Sequence, residues 1–312
     1  MLAIGSLRRW LPARWIAAML VCVSSAPPAR AQTPAAPQHP TTIALLTDLG
    51  MADGRVGLAH GVLLARTTGV EIIDLSHAVA PGDLQTAGMI LRETKRLPPN
   101  SLIVVCVGSA SPPSRWVAFR TQRGFYYLGP DNGVFSWVLK DQSVFRAAEV
   151  RPGAINPNWQ PGDPTLTDLL APAAAMLATT GDVMRVGDAA LAATFVRIDP
   201  PATVVAPATH EVVARIVSID AARAEVGLNL FADELRLAGI QPGDPLEVAI
   251  VPPGSERPSI SGSLRFVAQE PERDGIELTA WLSPLGALRL RLSSTRDAEA
   301  ISAEAEISIR AR

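Results

Sequence analysis

Several polar residues and one glycine in the N-terminal half stand directly after apolar segments that have the composition of buried strands. In chain order these residues are Asp48, Ser76 with His77, and Gly108 with Ser109. In an open parallel sheet, ligands bind beyond the carboxyl ends of the strands, so this placement predicts a binding site. A carboxylate at that edge can accept hydrogen bonds from two ribose hydroxyls, as acidic residues do in dinucleotide sites. The alternative interpretation is that Asp48 only caps the turn or helix that follows it.

Three common catalytic and nucleotide-binding motifs are absent from the sequence. It contains neither G-x-G-x-x-G nor G-x-x-x-x-G-K-[ST], so neither a Rossmann dinucleotide site nor a P-loop is supported. It also lacks G-x-S-x-G, the nucleophile elbow of the α/β-hydrolases. A ligand site at the predicted sheet edge must therefore use other contacts.

Strand and helix patterns alternate between residues 43 and 107. Short apolar runs, typical of parallel strands buried on both faces, are separated by segments of helical length. Asp83 is placed to cap the second helix, and Lys95 and Arg96 fall in its last turn. The predicted strands are 43–46, 70–75 and 102–107, and the predicted helices are 56–65 and 83–96. This order is the βαβ pattern of an α/β domain with a mostly parallel sheet.

The composition changes near residues 200–207, where prolines cluster. Before this point the sequence predicts strands at 116–119 and 125–128, a turn at 129–133, a loop at 152–167 and a helix at 168–180. Beyond it, β-forming runs at 211–219, 245–251, 261–267 and 288–292 are separated by Gly, Pro and Asp turns, as in a small sandwich or barrel. We therefore predict an α/β domain over residues 42–200 and a smaller all-β, barrel-like domain over 201–312.

The composition limits the possible partners. The chain has 312 residues, of which 48% are hydrophobic and 19% charged, enough apolar material for two cores. Four of its 28 basic residues lie in residues 1–31, which hold no acidic residue, so the remainder carries 24 basic against 30 acidic residues. A mildly acidic protein neutralises phosphates poorly, so we expect no nucleic-acid partner.

The first 31 residues have the features of a secretory signal peptide. Arg8, Arg9 and Arg14 precede an apolar run at 15–23, and Ala29-Arg30-Ala31 has small residues at the positions that signal peptidase requires. The run is shorter than the ~20 residues that span a bilayer, although an uncleaved N-terminal anchor is the alternative. We expect cleavage after Ala31, a Pro/Ala-rich linker at 32–41, and a periplasmic or secreted protein without further membrane association.

Cysteine and histidine provide no metal or disulfide site in this sequence. Removal of the signal peptide takes Cys22 with it and leaves Cys106 alone, so no intrachain disulfide can form. Cys106 lies within the apolar run 102–107, which predicts a buried, protonated thiol rather than a nucleophile. The four histidines are scattered without metal-ligand spacing, so we predict no metal site.

Several segments in order along the chain resemble a known family. They are IALLTDLG (43–50), EIIDLSH (71–77), PGD (81–83), GPDNG (129–133) and DLLAPAAA (168–175). At this spacing the chain resembles the S-adenosylmethionine hydroxide adenosyltransferase family, which includes the fluorinases and chlorinases. The match extends over most of residues 42–292, with weaker similarity in the second domain.

The resemblance implies a fold, an assembly and a reaction. It implies an α/β domain followed by a β-barrel-like domain, in a homotrimer whose ligand lies between one subunit's first domain and its neighbour's second. The family reaction is an in-line displacement at the ribose C5′ of S-adenosylmethionine, in which water or halide attacks and methionine leaves. A sulfonium is already an activated leaving group, so no metal or other cofactor is expected. The implied substrate-binding residues are Asp48, Ser76, Asp131, Asn132, Asp220 and Asn229.

The sequence departs from the family at the catalytic positions. Hydrolytic members orient water with an Asp–Arg–His triad, and the resemblance places Val107 at the Asp position and Thr165 at the His position. The Arg position falls on Ser114, with Arg115 adjacent as a possible substitute. A valine neither accepts a hydrogen bond nor carries charge, so general-base assistance of this type is lost. In the second domain, the family's D-x-F-G-N segment corresponds to residues 220–225, which contain no Asn.

Two functional hypotheses follow from these observations. The first is an enzyme that displaces methionine from S-adenosylmethionine, giving adenosine, with a degraded triad. The second is a catalytically inactive, exported nucleoside-binding or structural protein that retains the family fold, because a fold does not by itself imply a function.

Overall fold

A computed structural model describes residues 39–108, 113–199, 202–271, 278–284, 286–302 and 305–312. The predicted signal peptide and all but the last three residues of the predicted linker lie outside these ranges, as does Ser109. All described residues belong to one structural unit, residues 37–312. No helix among the described residues is both long enough and apolar enough to cross a membrane.

The N-terminal domain is built on a seven-stranded mixed sheet with the order β2-β1-β3-β5-β4-β6-β7. The strands β2, β1, β3 and β5 are parallel to one another. The remaining pairings are antiparallel: β4 pairs with β5, β6 with β4, and β7 with β6. The bounds are β1 Thr42–Thr47, β2 Glu71–Ser76, β3 Leu102–Cys106, β4 Trp116–Thr121, β5 Tyr126–Pro130, β6 Val144–Val150 and β7 Gly187–Ala189. The predicted α/β domain with a mostly parallel sheet is confirmed.

Helices cover both faces of this sheet, which explains why its central strands are apolar throughout. Side chains of β1 alternate between the two faces: Ile43 and Leu45 pack with Leu63 on one side, and Ala44 and Leu46 pack on the other. The helices are α1 Arg55–Arg66, α2 Leu84–Glu93, α3 Ser136–Asp141, α4 Pro152–Ile155 and α5 Ala171–Thr180. Both α1 and α5 lie on the Ile43 side, and α2 and α3 lie on the Ala44 side.

Several local predictions can be compared with these bounds. Asp83 caps α2 as predicted, since its carboxylate accepts a hydrogen bond from the Thr86 N–H at 2.9 Å. The helix predicted at 83–96 ends at Glu93 and continues as a 3₁₀ turn at Thr94–Arg96. A π-helical segment, Leu166–Leu170, precedes α5, so the helix predicted from residue 168 begins earlier. The predicted turn at 129–133 was partly wrong, because Gly129 and Pro130 complete β5 by pairing with β4.

The C-terminal domain is a closed seven-stranded barrel. Its strands follow the ring order β9-β10-β14-β13-β12-β11-β15 and return to β9, and β8 pairs with β9 outside the ring. Alternating side chains of β11 point inward, where Leu246, Val248 and Ile250 join the barrel core. The strands are β8 Val204–Ala206, β9 Glu211–Asp220, β10 Glu225–Phe231, β11 Pro245–Val251, β12 Ile260–Val267, β13 Thr279–Leu282, β14 Ala287–Arg291 and β15 Glu306–Ala311. Short helices α6 Ala232–Leu237 and α7 Thr295–Glu299 complete the domain.

The two domains meet at α2 and α6. Arg92 of α2 forms an ion pair with Glu234 of α6, with 2.7 Å between Nη2 and Oε1, and its guanidinium lies 4.0 Å from the ring centroid of Phe231. Trp137 of α3 packs edge-on against the same Phe231 ring, with 6.2 Å between centroids. Aromatic and cation–π contacts of this kind hold the barrel against the sheet domain.

Candidate ligand-binding site at the carboxyl edge of the sheet

The parallel strands β2, β1, β3 and β5 end side by side, so the residues that follow them share one edge of the sheet. This edge carries the described residues that the sequence analysis placed there and adds those that follow β5. They are Ser76 at the end of β2 and His77 after it, Asp48 after β1, Val107 and Gly108 after β3, and Asp131 and Asn132 after β5. The predicted strand-edge position of Asp48 is therefore confirmed.

The carboxylate of Asp48 joins three loops of this edge. Its Oδ2 accepts hydrogen bonds from the backbone N–H groups of Gly82, at 2.9 Å, and Gly108, at 2.8 Å. Its Oδ1 is buried and has no hydrogen-bond partner among the described residues. A carboxylate offers about four acceptor positions, so Oδ2 is filled and Oδ1 keeps about two acceptor positions unused. Buried polar atoms without partners are rare in proteins, and this oxygen is a candidate ligand contact.

Asn132 fixes the loop on the β3 side of Asp48. Its Nδ2 donates to the carbonyl of Val107 at 3.0 Å, and its Oδ1 accepts from the Val134 N–H at 3.2 Å. Gly108 has a positive φ of 79°, and a Cβ there would lie 2.8 Å from Nδ2 of Asn132. Glycine is therefore required for this close approach, which brings the Gly108 N–H to Asp48.

Asp131 and Arg115 form a network of their own. Asp131, which is 4% exposed, accepts from Nε of Arg115 at 2.7 Å through Oδ2 and from the Val196 N–H at 2.8 Å through Oδ1. Arg115 also donates to Thr194 and to Glu149 through its terminal nitrogens, and the Asp131 carboxylate raises the pKa of Arg115. Both carboxylate oxygens of Asp131 are thus used within the protein.

Side chains near the ends of β1 and β2 form a second network of polar contacts. Thr47 Oγ1 lies 2.9 Å from Nδ1 of His77, which is buried. Nε2 of His77 lies 3.0 Å from Oδ1 of Asp74 but is not aligned for a hydrogen bond, whereas Nε2 of His60 is hydrogen-bonded to the same oxygen at 2.9 Å. Ser76 accepts from the Ala78 N–H at 3.2 Å in a local turn. These contacts anchor the β1 and β2 ends.

A cavity of about 210 Å³ opens beside the ends of β1 and β3. Arg55 lies at this cavity, held by Asp53 through Nε at 2.8 Å and by the Leu49 carbonyl through Nη2 at 3.2 Å. Cys106 also lines it but is 2% exposed, and burial raises the pKa of its thiol to about 12, so the predicted unreactive cysteine fits the structure. The lining residues are Leu49, Arg55, Cys106, Gly162, Asp163, Pro164, Thr165, Leu166 and Thr167.

Residues 43–187 match the family model of the SAM hydroxide adenosyltransferase N-terminal domain. An (R)-S-adenosyl-L-methionine hydrolase of Salinispora tropica is 30% identical over 183 residues, which cover 57% of this chain and 68% of that protein. The chain belongs to the SAM hydroxide adenosyltransferase family. A hydrolase of the same name from Thermus thermophilus is 34% identical over 140 residues, 43% of this chain, and the match spans 55% of that relative's length.

A solved structure shows that the resemblance in fold extends to both domains. An uncharacterized conserved protein from Thermotoga maritima superposes with a TM-score of 0.71 and 23% identity, over 86% of this chain and 99% of that one. This similarity shows a shared fold, an α/β domain followed by a barrel.

The structure separates Val107 from the other three residues that the resemblance places at or beside the triad positions. Val107 is fully buried and packs in the apolar cluster on the Ala44 side of the sheet. Thr165 is half-buried and lines the cavity beside β3, whereas Ser114 is exposed. Arg115 points its nitrogens at Asp131, Glu149 and Thr194, as described above. Ser114, Arg115 and Thr165 nevertheless line one cavity of about 380 Å³ beside the start of β4.

Asp220 and Asn229, the implied substrate-binding residues of the second domain, form hydrogen bonds within the barrel. Asp220 accepts from the Arg223 N–H at 3.1 Å and closes the turn between β9 and β10. Asn229 is 1% exposed, and its Oδ1 accepts from the Arg215 N–H at 2.7 Å. Glu225 is also buried, and its Oε1 lies 2.9 Å from Nη2 of Arg291.

Sequence reasoning placed Gly108 at this edge and Gly82 within the PGD segment, but it did not identify their backbone amides as the donors that hold Asp48. Trp159, in the segment assigned simply as loop, lines a second cavity of about 380 Å³. No group of three or more His, Cys, Asp or Glu side chains is arranged to hold a metal ion in the part of the chain that the structure describes.

Proposed function

We propose that this protein binds S-adenosylmethionine or a related adenine nucleoside at the carboxyl edge of its α/β domain, and that water displaces methionine from the ribose C5′. The observation that supports this proposal best is the Asp48 carboxylate, with Oδ2 held by two backbone amides and Oδ1 without a partner. The match to the family model covers residues 43–187, which include Asp48, and relatives of the chain are named as (R)-S-adenosyl-L-methionine hydrolases.

Asp48 would position the ribose. The two remaining acceptor positions on Oδ1 match the two hydroxyls of a vicinal diol, and the amides on Oδ2 orient the carboxylate before a ligand arrives. Because the carboxylate is held in advance, less ordering entropy is lost when the nucleoside binds. Ser76 and Asn132 would contribute by fixing the neighbouring loops, and Asp131 by holding Arg115.

The displacement itself would rely on orientation rather than on a base. A sulfonium leaves without acid assistance, so the site needs to aim a water molecule at C5′ and to exclude other solvent. Thr165 is one of the polar side chains that line the cavity beside β3, and its hydroxyl would orient such a water. With Val107 at the triad Asp position, the expected rate is low compared with that of an intact triad.

A catalytically inactive nucleoside-binding protein is the second candidate function. It is favoured by the burial of Val107 at 0% exposure and by the engagement of Arg115 with Asp131 and Glu149. In this case Asp48 would still bind the ribose, while no group would activate the nucleophile.

Turnover separates the two candidates. Purified protein is incubated with S-adenosylmethionine, adenosine and methionine are followed by chromatography, and adenosine binding is measured by calorimetry. Release of both products above the protein-free rate supports the enzyme, and adenosine binding without release supports the binding protein. Absence of both binding and turnover rejects the nucleoside site altogether.

The contribution of Asp48 can be measured in the same assay. Asp48→Ala should weaken adenosine binding roughly tenfold to several hundredfold, because charge-assisted hydrogen bonds are worth ~1.5–3 kcal/mol each. Asp188→Ala, which removes an exposed carboxylate paired with Arg151, is the matched control and should leave binding unchanged. Equal affinities for wild type and Asp48→Ala would mean that Asp48 serves only as a structural tie between loops.

We further propose that the protein is a homotrimer, as the family resemblance implies. Large apolar side chains on the outer face of α1 support a contact with another chain: Leu58 is 65% exposed and Leu64 is 64% exposed. Light scattering should give three times the mass of one chain. A monomer mass at micromolar concentration would reject the trimer.

Export is proposed from the N-terminal segment. The arginines and the apolar run at 15–23 support a cleaved signal peptide. N-terminal sequencing of the mature protein should begin at Gln32. A mature fraction that begins at Met1 would reject cleavage.

A further inference from the structure

One residue, His77, is joined to both ends of the turn that carries Asp48. Its backbone carbonyl accepts a hydrogen bond from the N–H of Gly50, two residues after Asp48, at 2.7 Å. Its ring nitrogen Nδ1 lies 2.9 Å from Oγ1 of Thr47, the residue before Asp48. Thr47 is fully buried, and the His77 side chain is 4% exposed. We call these two side chains the Thr47–His77 clamp.

The hydroxyl of Thr47 is the donor in this clamp. Its Oγ1 accepts from the Leu49 N–H at 3.4 Å, and Nδ1 of His77 is the acceptor that its proton has among the described residues. A buried hydroxyl is rarely left without an acceptor. The imidazole therefore accepts at Nδ1 and carries its hydrogen on Nε2.

The opposite side of the imidazole is held by Asp74 and α1. Oδ1 of Asp74 lies 3.0 Å from Nε2 of His77 and 2.9 Å from Nε2 of His60, which belongs to α1. A carboxylate oxygen at this distance favours hydrogen on Nε2 of His77, because the other tautomer would set a nitrogen lone pair against it. Asp74 thus keeps Nδ1 free to accept from Thr47.

Backbone pairing alone does not set the turn. The register of β1 with β2 is regular from Thr42 to Leu45, and it shifts at Leu46, which pairs with Ser76. An irregularity of this kind re-aims the strand beyond it. Thr47 is the next residue, so its position depends on the side-chain contact with His77.

The loop that begins at His77 also supplies a donor to Asp48. Gly82 lies five positions after His77, and its N–H donates to Oδ2 of Asp48 at 2.9 Å. The loop is therefore joined to the turn at its first residue, through Thr47 and Gly50, and again at Gly82. The clamp fixes loop and turn relative to each other, and with them the orientation of the Asp48 carboxylate.

We propose that His77 is a positioning residue: its Nδ1 holds Thr47, and this contact orients the Asp48 carboxylate for ligand binding. Both members of the clamp are buried, so they act through Asp48 rather than by touching the ligand. The ligand part of this proposal rests on the proposed nucleoside site. The orientation of Asp48 is a property of the free protein and can be measured without any ligand.

Hydrogen exchange of the Gly82 amide in the free protein is the first measurement. Thr47→Val keeps the shape of the side chain and removes the donor, so exchange at Gly82 should become about two- to tenfold faster. Thr47→Ser retains the hydroxyl and should keep the wild-type exchange. Asp48→Ala removes the acceptor of the Gly82 N–H and defines the largest change to be expected.

Two amide variants of His77 separate the roles of its ring nitrogens. Asn places an amide oxygen near the position of Nδ1, where it can accept from Thr47, whereas Gln reaches towards the position of Nε2 and Asp74. His77→Asn should therefore keep the slow exchange at Gly82. His77→Gln should accelerate it to the same extent as Thr47→Val.

Adenosine affinity, measured by calorimetry, is the second readout. Thr47→Val and His77→Gln should each weaken adenosine binding about two- to tenfold, because the carboxylate is no longer held in advance. Thr47→Ser and His77→Asn should restore the wild-type affinity.

Thr94→Val is the matched control. Thr94 is 2% exposed, and its hydroxyl donates to the Leu91 carbonyl at 2.6 Å and lies 2.9 Å from that of Tyr127. It follows the last residue of α2, whereas Gly82 precedes this helix. Thr94→Val should lower the thermal unfolding temperature without changing Gly82 exchange or adenosine affinity.

The exchange and affinity measurements can each overturn the proposal. Wild-type Gly82 exchange in Thr47→Val would do so, as would equal acceleration in Thr94→Val, since the effect would then be one of general stability. Unchanged adenosine affinity in Thr47→Val and His77→Gln, with binding weakened in Asp48→Ala, would also reject it. If wild type does not bind adenosine at millimolar concentration, the proposed nucleoside function fails, and exchange at Gly82 still decides whether His77 orients Asp48.

Discussion

Arg115 and Asp131 form an ion pair with 2.7 Å between Nε and Oδ2, at the junction of β4 and the end of β5. The Asp131 side chain is 3% exposed and that of Arg115 is 22% exposed, so the pair is shielded from water on the carboxylate side. Arg115 also donates a hydrogen bond through Nη2 to the carbonyl of Thr194, 79 positions further along the chain. The two residues thus link the strands to the segment that leads towards the barrel.

Removal of Asp131 should destabilise the protein strongly. In Asp131→Ala, Arg115 would lose its nearest counter-charge and the Val196 N–H its acceptor, so we expect the free energy of unfolding to fall by about 3–5 kcal/mol. Urea denaturation measures this change. Asp188→Ala, which breaks an exposed ion pair, should cost less than about 1 kcal/mol. Similar losses for the two variants would contradict a structural role for Asp131.

Val107→Asp should not restore hydrolysis. Val107 is 0% exposed among apolar side chains, so a carboxylate there would be buried without a partner. We expect a loss of several kcal/mol in the free energy of unfolding and no gain in adenosine release. Thr165→Asp, at a half-buried position beside a cavity, is the control and should be tolerated better. A stable Val107→Asp variant that releases adenosine faster would show that Val107 faces the reaction site.

Cys106 should resist thiol reagents in the native protein. Burial raises the pKa of this thiol to about 12, so almost none of it is thiolate at pH 8, and reagent access is also blocked. In a Cys22→Ala variant, Cys106 is the remaining thiol. A disulfide reagent should label it slowly and incompletely in the folded protein, and rapidly and completely in denaturant. Fast labelling of the folded variant would indicate that the end of β3 opens.

Asp74 should contribute stability that is lost in acid. Burial acts to raise the pKa of Asp74, but the imidazoles of His60 and His77 outweigh it and hold this pKa below its usual value. A carboxyl with a lowered pKa in the folded state stabilises fully above the unfolded value of about 3.9, and the stabilisation disappears as the pH falls through the folded value.

A comparison of wild type with Asp74→Asn tests the direction of this pH dependence. Urea denaturation between pH 6 and pH 3 should show a stability difference that is constant at the upper end and shrinks below about pH 4. Asp188→Asn, measured in parallel, controls for general acid effects on exposed carboxylates. A difference that grows on acidification would contradict the lowered pKa.

Local sequence patterns were sufficient for β1 to β5 of the sheet and for four of the seven strands of the barrel ring, β9, β11, β12 and β14. The runs 43–46 and 102–107 are apolar at every position because both faces of β1 and β3 are covered by helices. Strands predicted at 245–251 and 261–267 match β11 and β12 to within one residue. Burial periodicity acts between near neighbours in the chain, so it is visible in the sequence without any knowledge of the partners.

Pairing between distant segments was decided only by the tertiary structure. No local pattern indicates that β4 inserts antiparallel between β5 and β6, or that β9 closes the barrel by pairing with β10 and β15. The strands β6, β7, β8, β10, β13 and β15 were not predicted. For β10, β13 and β15, the pairing partners are brought together only when the barrel closes.

The sequence by itself determined that Asp48 stands at a strand end, and that the residues aligned with the triad include a valine. Only the tertiary structure brought the amides of Gly82 and Gly108, 34 and 60 positions away, onto one oxygen of Asp48 and left the other without a partner. Trp159 likewise lines a cavity whose walls come from three separate segments of the chain. Whether a buried donor or acceptor has a hydrogen-bond partner depends on the three-dimensional positions of groups that are distant in the chain. It can therefore be determined only from the folded structure.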